Sequence, residues 1–276
     1  MFWKALKQAV IYAAMLAVVA LFVFPFYWLL ISAFKTKAQI FVLPPQFVPD
    51  PVVVQNFADV FRTTPIARAF VNSCVIAGGH TLLALFLCSM GGYAFAKFSG
   101  APGRDKLFAF VLGTMMIPAA VTLIPVFIVL TRLHLVNTYW AMILPGAANA
   151  FGIFWMRQYI AANVHDDLLA AARIDGCSEF GIYWRVALPI ARPALAALGI
   201  LVVISSWNNL MWAFIVLREK TMYTMPLLIY LLHGELRTPY GMVMAGGLLV
   251  TLPLIVAFLV FQRSFIQGIT AGALKA

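Results

Sequence analysis

Charged side chains interrupt this 276-residue chain at intervals that leave six long stretches free of Asp, Glu, Lys and Arg. They run over Gln8–Phe34, Ala69–Ala96, Leu107–Thr131, Leu135–Met156, Pro193–Leu217 and Thr238–Gln262. Each has the roughly 20 apolar residues that an α-helix needs to cross a bilayer. A spanning helix satisfies its own backbone hydrogen bonds in lipid, and none of these stretches alternates apolar and polar residues as a barrel strand would. The pattern predicts an all-α, polytopic membrane protein with six transmembrane helices. It reads as a single transmembrane domain over residues 1–276 with its core at 69–262. The first stretch follows Lys4 and Lys7 as a signal peptide would, but it is longer than the roughly 7–15 apolar residues of a signal, so it is expected to be retained.

Composition agrees with the pattern. Hydrophobic residues make up 64% of the chain and charged residues 10%, against about a quarter charged in a soluble domain. The net charge of +10 needs no nucleic acid partner, because basic loops facing the cytoplasm and anionic lipid account for it. With an even number of spans both termini share a side. A cytoplasmic N-terminus puts eleven Lys and Arg inside and eight outside, so charge favours both termini in the cytoplasm. Residues 35–68, with five prolines and the string "VLPPQFVPDP", are then an extended external loop. Residues 161–192 form the largest cytoplasmic segment.

No reaction centre stands out. Cys74 and Cys88 lie on one predicted helix about 21 Å apart, too far to bridge, and Cys177 is alone in a loop. The four histidines are scattered, so no metal site is indicated; His80, beside Gly78 and Gly79, reads as a packing or hydrogen-bonded residue. The chain is not expected to be an enzyme.

Chemistry concentrates instead in "LLAAARIDGCSEFGIYWRVALPIARP", Leu168–Pro193. Asn163, His165 or Asp166 can cap a helix whose positive end suits Asp166 and Asp167. Leu168 through Ala172 are strong helix formers. Gly176 falls where a left-handed stop residue is expected, and Ser178 can cap a second helix. In that helix Phe180, Tyr183, Trp184, Ala187 and Leu188 recur at helical spacing, with Arg185 off the stripe. Pro189 and Pro193 then break the path. The segment is a helix–glycine–helix elbow, either docking into a partner's groove or simply connecting two spans.

A second candidate lies in the fifth span. On a helical wheel Ser205, Asn208, Asn209 and Trp212 fall within an arc of about 100°, uncharged and polar. Such an arc can line a path for a hydroxyl-rich solute, or its amides can bond neighbouring helices. Gly91, Gly92, Gly246 and Gly247 read as close-packing positions between spans, and Pro118, Pro125 and Pro145 as kinks.

The string "AARIDG", followed by "LP" and "P", resembles the cytoplasmic loop of ABC importer permeases. "MMIPAAVTLIPVFIVLTRLHLVNTYWAMILP", "FWMRQY", "SWNNLMW" and "FQRSFIQGITAGALKA" resemble, in the same order, the shorter permease subunit of carbohydrate importers of the maltose-permease type. The resemblance implies a type I ABC importer permease fold in a prokaryotic cell membrane. By position, Ala170, Ala171, Ala172, Asp175 and Gly176, with Leu188 and Pro189 closing the motif, match the loop that couples to the ATPase. The family's glutamate falls on Ala170, so any ion pair there is in doubt; Asp166 or Asp167, one turn earlier, can substitute in part. The implied partners are a second homologous permease, two ATP-binding subunits and an extracytoplasmic solute-binding protein. The chain has no GxxxxGK[ST] motif, so ATP would be bound by a partner and no cofactor by this chain. The implied cargo is a sugar or related polar solute, with glycerol-phosphate uptake as the alternative. An ATP-independent facilitator is a further one, whereas ion-coupled secondary transport is disfavoured because the spans hold no charged residues for an ion relay.

Overall fold

The computed structural model describes residues 2–234 and 238–273, with side chains described except at 2, 5, 234, 261 and 263–273. The last resembling string, residues 261–276, therefore lies outside the described side chains apart from Gln262. Every described element is helical, and no strand occurs among the described residues. In chain order the helices are α1 (Phe2–Ala33), α2 (Lys37–Ile40), α3 (Gln55–Thr63), α4 (Ile66–Lys97), α5 (Arg104–Thr114), α6 (Ala119–Arg132) and α7 (Tyr139–Ile143). There follow α8 (Ala150–Asn163), α9 (Asp166–Ile174), α10 (Glu179–Ile182), α11 (Leu188–Ile190), α12 (Arg192–Trp207), α13 (Leu210–Val216), α14 (Met225–Leu231) and α15 (Tyr240–Ala273).

Among the described residues, three helices are long and apolar enough to cross a membrane alone: Leu6–Ala33, Ile66–Lys97 and Tyr240–Val260. Two more candidates are bent pairs, α5 with α6 at 102° and Glu179–Ile190 with α12 at 81°. The predicted fourth span, Leu135–Met156, is divided between α7 and α8. The breaks have local causes. Pro118 has no N–H to continue α5 and sits at the N-cap of α6. Pro145 and Gly146, the latter at φ +76°, separate α7 from α8. Pro125 is accommodated inside α6.

The chain divides into two compact units. One comprises residues 1–67 and 228–253. The segment 35–68, expected to be extended, instead carries α2 and α3 and runs into the start of α4. Thr36 and Gln39 form a reciprocal capping box. Lys35 is buried, its ammonium 4.3 Å from the centre of the Trp28 ring and donating to the Gln46 carbonyl. Asn56 donates to the carbonyls of Ala33 (2.9 Å) and Lys35 (3.0 Å). In this unit a Cβ on Gly246 would meet the Ile229 side chain, and one on Gly247 would lie in ordinary contact with Leu29 at 3.5 Å.

The other unit comprises residues 68–227 and 254–276. Its core runs from Ala84, Cys88 and Tyr93 on α4, through Met156 and Ile160 on α8, to Leu169, Tyr183, Leu198 and Val202. Helix α4 meets α8 without room for a side chain at Gly92: a Cβ there would lie 2.5 Å from Met156 Cβ and 2.7 Å from the Arg157 nitrogen. Small residues allow such backbone approach where lipid gives no hydrophobic drive between helices.

Candidate functional site

The elbow closes on itself around Gly176. Gly176 N–H donates to Arg173 O and Cys177 N–H to Ala172 O, both at 3.0 Å, the two bonds of a Schellman stop. Gly176 sits at φ +80°, as that stop requires. Ser178 Oγ then accepts from Gly181 N–H at 3.2 Å and starts the second arm. Arg173 spans the turn to Glu179 with a two-point contact, Nε–Oε1 2.6 Å and Nη2–Oε2 3.3 Å. His165 occupies the first helix's N-cap without a side-chain cap bond, so the turn there relies on Asp166 and Asp167.

The aromatic stripe of the second arm divides. Residues 183–187 form one π-helical turn, which shifts the row of side chains. Tyr183 and Ala187 are buried, whereas Phe180 and Trp184 are more than half exposed and stack at 6.3 Å with 19° between planes. Leu168 and Ile174 on the first arm are exposed apolar residues as well. Of the motif residues, Ala170, Ala171, Asp175 and Gly176 are exposed, Ala172 is buried and Leu188 and Pro189 are half-buried. Asp166 is already engaged: Lys97 Nζ lies 2.7 Å from its Oδ1. That hydrogen bond, with the ammonium charge, holds the Asp166 carboxyl below its ordinary 3.8. A depressed native value stabilises above the unfolded pKa and loses that stabilisation as pH falls through the native one. The pair is therefore intact at neutral and mildly acid pH and gives way only below 3.8.

The fifth-span residues occupy a different geometry from the wheel. The arc assumes one helix from Ser205 to Trp212, but α12 stops at Trp207. Asn208 ends it, and Asn209 starts α13 by accepting from Trp212 N–H at 3.4 Å. Asparagine competes with helical backbone hydrogen bonding through such local bonds. The Trp212 indole is buried and donates to Ala141 O at 2.8 Å. Asn208 is exposed, its amide donating to Ile204 O at 2.9 Å.

Beside this break is a cavity of about 500 Å³, within the common size range of ligand sites. Ser205 and Asn209 line it, joined by His80, Asn149 and Ser206. A neighbouring cavity of about 410 Å³ shares Pro145, Gly146 and Asn209 with the first and adds Thr122 and Trp212. Three residues of the arc thus face the two cavities, and Asn208 faces neither. His80 makes the hydrogen bond its sequence reading allows, to Ile143 O at 2.8 Å. A carbonyl only accepts, so Nδ1 is the donor in this bond. Asn149 accepts from Gly152 N–H at 2.6 Å and thereby starts α8. Sequence reasoning had no hold on His80, Asn149 and Ser206 as cavity walls; only the helix-breaking "LPGAAN" hinted that the chain opens there. A third cavity, about 300 Å³ between α4, α12 and α15, is lined by apolar side chains and glycine alone.

The comparisons with known proteins follow this geometry. Residues 88–271 match the family described as binding-protein-dependent transport system inner membrane component. The chain is 38% identical over 258 residues to the arabinooligosaccharides transport system permease protein AraQ of Bacillus subtilis (strain 168), covering 92% of this chain and 91% of that one. It is 34% identical over 272 residues to the lactose transport system permease protein LacG of Rhizobium radiobacter, covering 99% and 98%. In structure it superposes with TM-score 0.80 on a chain of a bacterial ABC transporter involved in the import of the acidic polysaccharide alginate. That match is 24% identical and covers 95% of this chain and 98% of the other, which shows a shared fold. The chain belongs to the binding-protein-dependent transport system inner membrane components, the all-helical permease subunits of ABC importers, and is a transport protein rather than an enzyme.

Proposed function

We propose that this chain forms half of the translocation path for a neutral sugar or short oligosaccharide. The observation that carries this reading is the polar cavity, whose lining residues include amides, hydroxyls and an imidazole but no Lys, Arg, Asp or Glu. Hydroxyl-rich neutral solutes need such groups, whereas a phosphate or uronate calls for guanidinium or ammonium partners. The names of AraQ and LacG support the same class. Ser205, Asn209 and Trp212 are the wall residues of choice, with His80, Asn149 and Ser206 added. Asn208 lines neither cavity.

The other half of the path belongs to a second homologous permease. One ATP-binding subunit seats the exposed Leu168, Ile174, Phe180 and Trp184 with Ala170, Ala171, Asp175 and Gly176, a second serves the partner permease, and an extracytoplasmic solute-binding protein delivers cargo. The ATP stays with those partners. With no glutamate at Ala170 and Asp166 engaged by Lys97, docking rests on apolar area, and Asp167 is the acid left on the elbow's first turn.

Ser205→Leu tests the path, because it fills exposed cavity space without touching a helix cap. Uptake per assembled complex in proteoliposomes should drop to a small fraction of wild type, while Asn208→Leu stays near normal. Normal uptake by Ser205→Leu would take the cavity off the path. Uptake by this chain alone, without ATP, would replace the importer reading by a facilitator.

Orientation follows the loop charges, with both termini in the cytoplasm. In a cysteine-free background, a membrane-impermeant thiol reagent should label Gln46→Cys in intact cells and spare Asp167→Cys. Labelling of Asp167→Cys from outside would invert the topology. Native Cys177 is a poorer reporter because it is half-buried against the core.

A further inference from the structure

Helix α4 is hydrogen-bonded at both ends to segments far away in sequence. At its C-terminal end Ser89, Tyr93 and Lys97 recur at i, i+4 and i+8, one stripe of the helix. Each holds a different part of the elbow. Ser89 Oγ lies 2.8 Å from the Tyr183 hydroxyl, and the Tyr93 hydroxyl donates to Glu179 at 3.4 Å. Lys97 bonds the Val164 carbonyl and Asp166 at the start of the first arm. Ser89, Tyr93 and Tyr183 are buried, so the first contact lies in the core and the second reaches from buried Tyr93 to exposed Glu179.

At the other end Asn72 and Ser73 are also buried. Asn72 donates to Thr221 O (2.9 Å) and Tyr223 O (3.0 Å) and accepts from the Tyr139 hydroxyl (2.8 Å). Ser73 accepts from Met225 N–H at 2.9 Å. From Asn72 to Lys97 the helix is about 37 Å long at its regular rise, more than the roughly 30 Å hydrocarbon thickness. Between the two anchored ends the helix passes the polar cavity at His80.

The geometry points to α4 as a tie rod that links the elbow to the 221–225 segment on the opposite membrane face and moves the cavity wall at His80 with it. Ser89, Tyr93 and Lys97 are positioning residues: they touch neither solute nor nucleotide, but fix how far an elbow displacement is passed on. The elbow is covalently continuous with α8 and α12, so without these contacts it would still move those helices while α4 lagged. Because coupling free energies are reciprocal, a partner seated against 221–225 would also bias the elbow through the same rod. This inference rests on the elbow being the ATPase contact.

The test uses the complete complex, with permease pair, ATPase and solute-binding protein, in proteoliposomes. Tyr93→Phe combined with Lys97→Met removes the middle and end contacts. In complexes that retain wild-type amounts of ATPase, solute moved per ATP hydrolysed should fall about tenfold, within the usual range of coupling between sites. The stimulation of hydrolysis by loaded binding protein should fall with it. Tyr93→Phe with Lys97→Arg, which keeps the charge, should recover most of the ratio. Should the first pair fail to assemble, Ser89→Ala with Asp166→Ala removes the contact to Tyr183 and the ion pair to Lys97, leaves the Arg173–Glu179 bridge in place, and is read in the same way. A wild-type transport-to-hydrolysis ratio in whichever pair assembles overturns the tie rod. Absence of ATP-driven uptake by the wild-type complex would instead overturn the importer reading on which it rests.

Discussion

Gly176→Val is expected to cut ATP-driven uptake at least about tenfold while leaving solute affinity of the delivering protein unchanged. The cause is backbone conformation alone. A Cβ at Gly176 would meet nothing within 4 Å, so no clash is available to explain a loss. At φ +80°, however, a residue with a side chain costs roughly 1–2 kcal/mol, and β-branching adds to it. The turn can relax only by giving up the bonds from Gly176 to Arg173 and from Cys177 to Ala172, which splays the arms that Arg173 and Glu179 hold together. A graded series makes the cause visible. Asparagine tolerates the left-handed region, so Gly176→Asn should stay close to wild type, with Gly176→Ala intermediate. Uptake measured per assembled complex decides, and wild-type uptake by the valine variant would reduce the elbow to a connector.

Gly92→Ala should lower the thermal midpoint of the complex sharply, or prevent its assembly. Here conformation is harmless and space is the cause. The added Cβ would meet Met156 Cβ at 2.5 Å, Arg157 N at 2.7 Å and Met156 C at 2.9 Å. Two of these are backbone atoms, which cannot rotate aside, so α4 must back away from α8 along its length. Overpacking of this kind costs about 1–3 kcal/mol, sometimes more. Gly78→Ala, on the same helix with nothing within 4 Å, is the comparison. It should be neutral or slightly stabilising, since alanine favours helix over glycine by about 1 kcal/mol. An unchanged midpoint for Gly92→Ala would mean that the two helices are not in contact at that point.

These two glycines show what a sequence reading can and cannot reach in this protein. Gly176 was legible because a helix stop needs only neighbouring residues, an alanine-rich arm before it and a serine cap after it. Gly92 was legible as a packing residue but not its partner, since Met156 is distant along the chain. The membrane character was legible because hydrocarbon excludes charge, which leaves its mark as charge-free windows. The interior of those windows was less so. Proline announced the breaks at 118 and 145, but the stop at Asn208 escaped a wheel that presumes one continuous helix. The same presumption gave the stripe from Phe180 to Leu188 one α-helical face, whereas residues 183–187 form a π-turn and only Tyr183 and Ala187 of the stripe are buried. The ordered 35–68 segment was hidden for another reason. Its prolines argued for an extended loop, whereas a buried lysine under an aromatic ring is a tertiary feature with no local signature. Ser89, Tyr93 and Lys97 looked like ordinary residues of an apolar helix until their partners 183, 179 and 166 were in place.

The asparagines at the cavity carry a last consequence, for discrimination among cargoes. Asn149 and Asn209 each have the side-chain oxygen committed to a backbone N–H that starts a helix. Each oxygen keeps one lone pair, and with the Asn209 NH₂ group and the Ser205 hydroxyl the wall both donates and accepts. A wall of this kind greets any hydroxyl oxygen in much the same way and is poorly placed to tell an axial from an equatorial one. If cargo passes along it, this half of the route is lenient about sugar stereochemistry, and the choice between epimers has to be made before the solute reaches the membrane.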